Sequence, residues 1–185
     1  MEDQIAISRL KQGDLNGLET LVNKYQVRAM HSAYMILFDR GSAEDIVQAA
    51  FIKATERIHQ FDEERPFAPW FYRIVMNDAL KLAKKQQRNF SLEGHLDAPV
   101  AQLATQLTDP NLTPEKILEQ KEIRQNILKA IQSLPPEQRA VIVMQYYLDM
   151  SEKEMSAKME RPLSTIKWWL RDARKRLRSL MDISR

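Results

Sequence analysis

The segment S-T-I-K-W-W-L-R-D-A-R-K-R-L-R, Ser164 to Arg178, holds six basic side chains and two adjacent tryptophans in fifteen residues. Guanidinium and ammonium groups at this density suit phosphate binding, and an exposed indole offers a flat face to thymine methyls, sugars or a protein partner. At about 100° per residue, Ile166, Leu170, Ala173 and Leu177 share one apolar helix face. Ser164, Trp168, Arg171 and Lys175 lie opposite, with Asp172 at the edge and Trp169 on the border. The pattern predicts an amphipathic helix with Trp169 packing inward and Trp168 pointing out. A second basic run, Lys81, Lys84, Lys85 and Arg88, contains no acid. Its lysines are mobile point charges suited to a nucleic-acid backbone.

Other chemistries find little support in the sequence. Cysteine is absent, which leaves no disulfide framework and no thiolate metal site, and fits a reducing compartment. His31, His59 and His95 lack metal-ligand spacing, so no metal or other cofactor is expected. Asp62-Glu63-Glu64 reads as a solvated loop, and neither a Gly-rich phosphate loop nor a Ser-centred nucleophile motif occurs. No catalytic residues are assigned and an enzyme is not expected. The N-terminus shows no uninterrupted hydrophobic region, and no apolar run approaches the ~20 residues of a membrane span. A cytoplasmic protein is expected.

These charges need elements to hold them. Net charge is only +3 over 185 residues, yet Arg161 to Arg178 carries seven basic residues against Asp172 alone. Basic blocks on a near-balanced chain point to polyanion contacts at defined places. Helical spacing recurs throughout and alternation is nearly absent, so the chain reads as all-α with two modules. In the first, a helix from Asp14 to Phe38 ends at F-D-R-G-S, with Gly41 in the turn. Ser42 and Asp45 resemble a cap for the next helix, which runs to Ile58. A loop with Pro66 and Pro69 follows, then a helix from about Trp70 to Arg88. Residues 89–114 are polar and proline-containing, the composition of an extended linker. Beyond it come a helix from Glu115 to Ser133, another opened by Pro135-Pro136, and a capping box S-E-K-E at Ser151. A short helix to Met159, the turn E-R-P-L and the basic helix then form a helix-turn-helix, a layout fitted to the major groove.

The run from S-L-P-P-E-Q-R-A to W-W-L-R-D-A-R-K-R-L resembles region 4 of the extracytoplasmic-function (ECF) sigma factors of the sigma-70 family. A-E-D-I-V-Q-A-A-F-I-K-A resembles the region 2 helix that docks on core RNA polymerase. F-D-E-E-R-P-F-A-P-W-F-Y-R-I-V-M-N resembles the segment that reads and opens the minus-ten element. The resemblance implies two small helical domains: region 2 over residues 1–88, the linker over 89–114, and region 4 over 115–185. It implies bacterial core RNA polymerase and promoter DNA as partners, allows an anti-sigma factor, and gives no small-molecule substrate. Asp45 and Gln48, one helical turn apart, match polymerase-binding positions. Phe67, Tyr72, Asn77, Lys81, Lys84, Lys85 and Arg88 are the minus-ten candidates, and Trp70 is read as core packing. Ser164, Thr165, Lys167, Trp168, Arg171, Arg174 and Lys175 are the minus-thirty-five candidates. The chain departs from the family pattern at Ala49, Lys81, Trp168-Trp169, Asp172 and Glu160. The last replaces a turn glycine, so it must accept a left-handed conformation or reshape the turn. A free-standing helix-turn-helix transcriptional regulator is the rival reading. It predicts operator binding by the protein alone, whereas a sigma factor binds selectively only with polymerase.

Overall fold

The computed structural model describes the backbone of residues 2–90 and 114–182, and the side chains of 2–87 and 122–180. These residues form α-helices and one short 3-10 turn, with no strand among them. Four helices build the first module: α1 (Glu2–Lys11), α2 (Asn16–Leu37), α3 (Arg40–Glu56) and α4 (Phe67–Phe90). The second contains α5 (Pro114–Gln132), α6 (Pro136–Tyr146), α7 (Glu152–Met159) and α8 (Leu163–Asp182). Helix α2 is the spine of the first, packed by α1, α3 and α4; α8 is that of the second, packed by α5, α6 and α7.

Aromatic rings fill the centre of the first module. Tyr25, Phe51, Phe61, Phe67, Phe71 and Tyr72 are all buried, with Phe67 stacked on Phe71 at 5.7 Å. Three- and four-residue spacing puts Phe67 and Phe71 on one stripe of α4, and burying such rings supplies much of a small domain's driving force. Phe67 is 2% and Tyr72 5% exposed. The expectation that these two rings present themselves to minus-ten DNA is therefore corrected: both are structural. Trp70 is half-buried and packs on Phe61 and Phe67, as its spacing predicted.

Helix ends differ from the sequence expectation at the starts of α3 and α4, the latter beginning at Phe67 rather than near Trp70. Phe38 takes a left-handed conformation (φ 55°) and closes α2, its N–H donating to the Tyr34 carbonyl. Asp39 then caps α3, accepting from the Ser42 N–H at 2.9 Å. Ser42 is thus inside the first turn rather than the cap, as is Gly41. Asp and Ser are comparable caps, and the chain reversal at Phe38 decides between them. Pro69 is tolerated in the first turn of α4, where its missing N–H has no helical acceptor. At α7 the capping box forms as expected, Ser151 N–H donating to Glu154 Oε2 at 2.8 Å and the Glu154 N–H to Ser151 Oγ at 3.3 Å.

Helix α1 has no counterpart in the sequence reading. It lies across Gly17 so closely that a Cβ there would sit 2.2 Å from the Ala6 carbonyl oxygen. Lys11, at its end, donates to the Phe61 carbonyl at 3.0 Å and to Glu63 at 2.7 Å. Helix α1 therefore braces the loop before α4.

Candidate nucleic-acid and polymerase surfaces

The apolar stripe foreseen for α8 is buried: Ile166, Leu170 and Ala173 are fully enclosed, and Leu177 and Trp169 pack at the margin. Glu160, which ends α7, adopts the left-handed conformation (φ 52°) and turns the chain into α8. A glycine would do so without the steric cost of a Cβ. Ser156 steadies the turn, its hydroxyl donating to the Arg161 carbonyl at 2.6 Å. The opposite face presents Ser164, Lys167, Arg171 and Lys175, all exposed, with Thr165 half-buried. Trp168 stands among them, 50% exposed. This face is cationic and aromatic.

Arg174 and Asp172 of α8 have partners on α6. Arg174 donates to the Tyr146 hydroxyl at 2.9 Å and to Gln145 Oε1 at 2.8 Å, which ties α8 to α6. Asp172 accepts from Gln138 Nε2 at 2.7 Å and from Arg176 at 3.0 Å. The Gln138 hydrogen bond, joined by Arg176, holds the Asp172 carboxyl below its usual pKa. An acid on a basic helix is thereby explained as a strut between α8 and the buried start of α6.

In the first module Lys53 of α3 and Arg57, just past its end, meet Trp70, Arg73, Asn77 and Lys81 around a cavity of about 360 Å³. One aromatic wall and several cations suit an unstacked nucleotide and its phosphate. Lys53 is held by Asp78 at 2.7 Å. Lys85 is exposed, while Lys84 pairs with Glu137 of α6 at 2.8 Å. The Arg88 side chain lies outside the described residues. Lys53, Arg57 and Arg73 escaped the sequence reading, although Arg73, Asn77 and Lys81 follow one another at four-residue steps that mark one helix face.

Asp45 and Gln48 are both exposed on α3. Gln48 borders a groove of about 600 Å³ between α2 and α3, lined also by Val22, Val27, Met30, Phe51 and Ile52. Val27 and Ile52 are largely exposed there, an apolar surface suited to a protein partner.

The arrangement agrees with what known proteins show. The family described as "Sigma-70 region 2" matches residues 21–89, and "Sigma-70, region 4" matches residues 124–177. The ECF RNA polymerase sigma factor SigW of Bacillus subtilis (strain 168) is 30% identical over 177 residues, 93% of this chain and 92% of its own. The chain belongs to the ECF sigma factors of the sigma-70 family. The ECF RNA polymerase sigma-E factor of Escherichia coli (strain K12) is likewise 30% identical over 171 residues, 90% of this chain and 87% of its own. Two solved structures share the fold with a TM-score of 0.66. One is CnrH in complex with the cytosolic domain of CnrY, 20% identical with full coverage of both chains. The other is the sigma factor RpoE in complex with the anti-sigma factor NepR from Bartonella quintana, 22% identical over 89% of this chain and 98% of that one.

For an RNA polymerase sigma factor, the helix-turn-helix and the α3–α4 cavity fall in the two regions that meet promoter DNA. Among the described residues no helix is long and apolar enough to cross a membrane, and no cluster of three metal-ligating side chains occurs.

Proposed function

We propose that this sigma factor docks on bacterial core RNA polymerase through α3, with Asp45 and Gln48 supplying an anion and an amide on one exposed face. The outer face of α8, from Ser164 to Lys175, reads the minus-thirty-five element. Arg171, Lys175 and Lys167 contact phosphate, while Ser164, Thr165 and Trp168, in the first turns, reach base edges. The cavity around Trp70, Arg73, Asn77 and Lys81 receives an unstacked minus-ten base, and Lys85 follows the strand. Phe67 and Tyr72 act beneath it as the packed floor, and Arg174 fixes the angle of α8 rather than binding phosphate. Region 2 is assigned to residues 1–88, the linker to 89–114 and region 4 to 115–185. The chain performs no covalent chemistry and works in the bacterial cytoplasm, where polymerase is. CnrH and RpoE were solved with protein partners. The apolar groove between α2 and α3 is the seat that suits an anti-sigma factor here.

The observation that carries this reading is the pairing of two separate cationic surfaces, one aromatic-walled cavity and one helix-turn-helix face, on two modules of a single chain. A free-standing regulator needs only the second. The test is co-purification of the tagged chain with core polymerase, followed by run-off transcription on fragmented genomic DNA. Stoichiometric retention and new start sites are expected. Tight, salt-sensitive binding to duplex DNA by the protein alone, without retention, would overturn it.

A further inference from the structure

Trp168 points directly away from the buried stripe of α8. That stripe is Ile166, Leu170 and Ala173, and at about 100° per residue Trp168 lies about 180° from its centre. The ring is 50% exposed, and among the described residues no second ring, hydrogen-bond partner or cation engages it. Two struts hold it in that direction. Asp172, one turn further on, is tied to Gln138 of α6 at 2.7 Å, and Arg174 to Gln145 at 2.8 Å and Tyr146 at 2.9 Å. Helix α8 cannot roll to bury the indole without breaking them.

Contacts between the modules lie elsewhere on the second one. Arg28 of α2 donates to the Tyr147 carbonyl and, at 2.9 Å, to Asp149 Oδ2, both in the turn after α6. His31 Nδ1 pairs with the Tyr147 hydroxyl at 3.0 Å. Lys84 meets Glu137 of α6, Lys158 of α7 donates to the Pro69 carbonyl at 3.0 Å, and Glu160 stands 3.9 Å from Arg73. None of these uses the outer face of α8.

The residues around the ring select what a duplex would offer it. Lys167 and Arg171 are exposed to one side of Trp168 and Arg176 to the other. A helix seated in the major groove, about 12 Å wide, then turns cations towards both phosphate walls and the indole towards the floor, where base edges lie. Ser164, one turn earlier, is small and leaves the ring room to approach. An indole has one donor, Nε1–H, no acceptor and a broad apolar surface. The apolar group that base edges present in this groove is the thymine C5-methyl. Pressed on purine acceptors instead, the ring face would strip water from them and return no hydrogen bond.

We propose that Trp168 reads a thymine methyl group in the minus-thirty-five element, so that this factor requires an A·T pair at that place. The inference rests on the sigma-factor reading and names the base feature that the second module recognises. Deleting one buried methyl group should weaken binding about fourfold, or about 0.8 kcal/mol.

The experiment uses holoenzyme assembled from the full chain and purified bacterial core polymerase, on a promoter duplex found by run-off transcription. Each thymine of its minus-thirty-five element is replaced in turn by deoxyuridine, which deletes the methyl and keeps every base-pairing group. At one or two positions the parent should lose about fourfold in affinity, while Trp168→Ala should lose nothing further there. On the unaltered duplex Trp168→Ala should bind about fourfold or more weakly with the same dependence on salt, because an indole displaces no counterion. Silence at every position, an equal cost in Trp168→Ala, or an element without thymine would overturn the methyl contact. Parental affinity in Trp168→Ala would overturn it too and leave the indole to a protein partner. Failure to form holoenzyme would strike the sigma-factor reading instead. The same deoxyuridine scan, on duplex selected by the chain alone, would still decide the methyl contact.

Discussion

Replacing Asp45 by Lys together with Gln48 by Ala isolates the docking surface, because both side chains are exposed on α3. A carboxylate hydrogen-bonded to a cationic partner contributes about 1.5–3 kcal/mol, and a neutral amide about 0.5–1.5 kcal/mol. The residues are one turn apart, so their effects are not strictly additive. A combined loss of about 3 kcal/mol corresponds to roughly 100-fold in Kd for core polymerase, at 1.4 kcal/mol per decade. Folding should barely change, since surface substitutions away from caps and cores stay within about 0.5 kcal/mol. The assay is fluorescence anisotropy of labelled chain titrated with core polymerase at fixed salt, beside a thermal melt. Affinity within threefold of the parent with an unchanged melt would refute the assignment of these residues to docking. A collapsed melting temperature would show instead that α3 depends on them for its own stability.

Gly17→Val drives a side chain into the Ala6 carbonyl and should displace α1, at a cost of about 2 kcal/mol or more and a fall of several degrees in Tm by calorimetry. Leu170→Ala, at a site 1% exposed, should cost about 2–5 kcal/mol of stability. Trp168→Ala should cost less stability and weaken minus-thirty-five recognition in holoenzyme footprinting more; the reverse ranking would place the indole in the core. Acidification should part the modules in two stages. Burial, reinforced by Arg124, lowers the pKa of His31, which faces Tyr147 near Arg28 and shares a cavity with Arg40 and Glu44. The contact therefore favours neutral imidazole, is fully supported above the ordinary value near 6.5, and weakens as pH falls below it. Glu137 is raised by burial but lowered further by Lys84, so its support holds above about 4.5 and is lost as pH falls through the depressed value. Scattering from pH 7.5 to 3.5 checks both stages, and His31→Gln should remove the first.

Much of this structure is legible in the sequence where the signal is local. The α8 stripe, the Ser151 capping box and the Pro135-Pro136 start each follow from spacings of a few residues, and all three form. At Glu160 the sequence leaves two outcomes, a left-handed residue or a reshaped turn, and the structure takes the first. Failures occur where the deciding partner is distant. Asp39 prevails over Ser42 as a cap because Phe38 reverses the chain just before it. Phe67 and Tyr72 could equally have served DNA or core; the ring of Tyr25, contributed by α2, draws both inward. Helix α1 is short and needs the notch at Gly17 to dock, a fit invisible in either segment alone. Arg28 and Tyr147 are 119 positions apart, and no local pattern relates them.

The polar contact between modules is weak by the standards of a separate complex, because its ion pairs are mostly surface-exposed. It need not be strong. Two modules joined through a few tens of residues meet at an effective concentration on the order of millimolar, fixed by the chain and not by the cell. Such a contact within one chain is then independent of how much of the protein is made. Synthesis of more chain leaves it as it is, and only a partner that competes for the same side chains can weaken it.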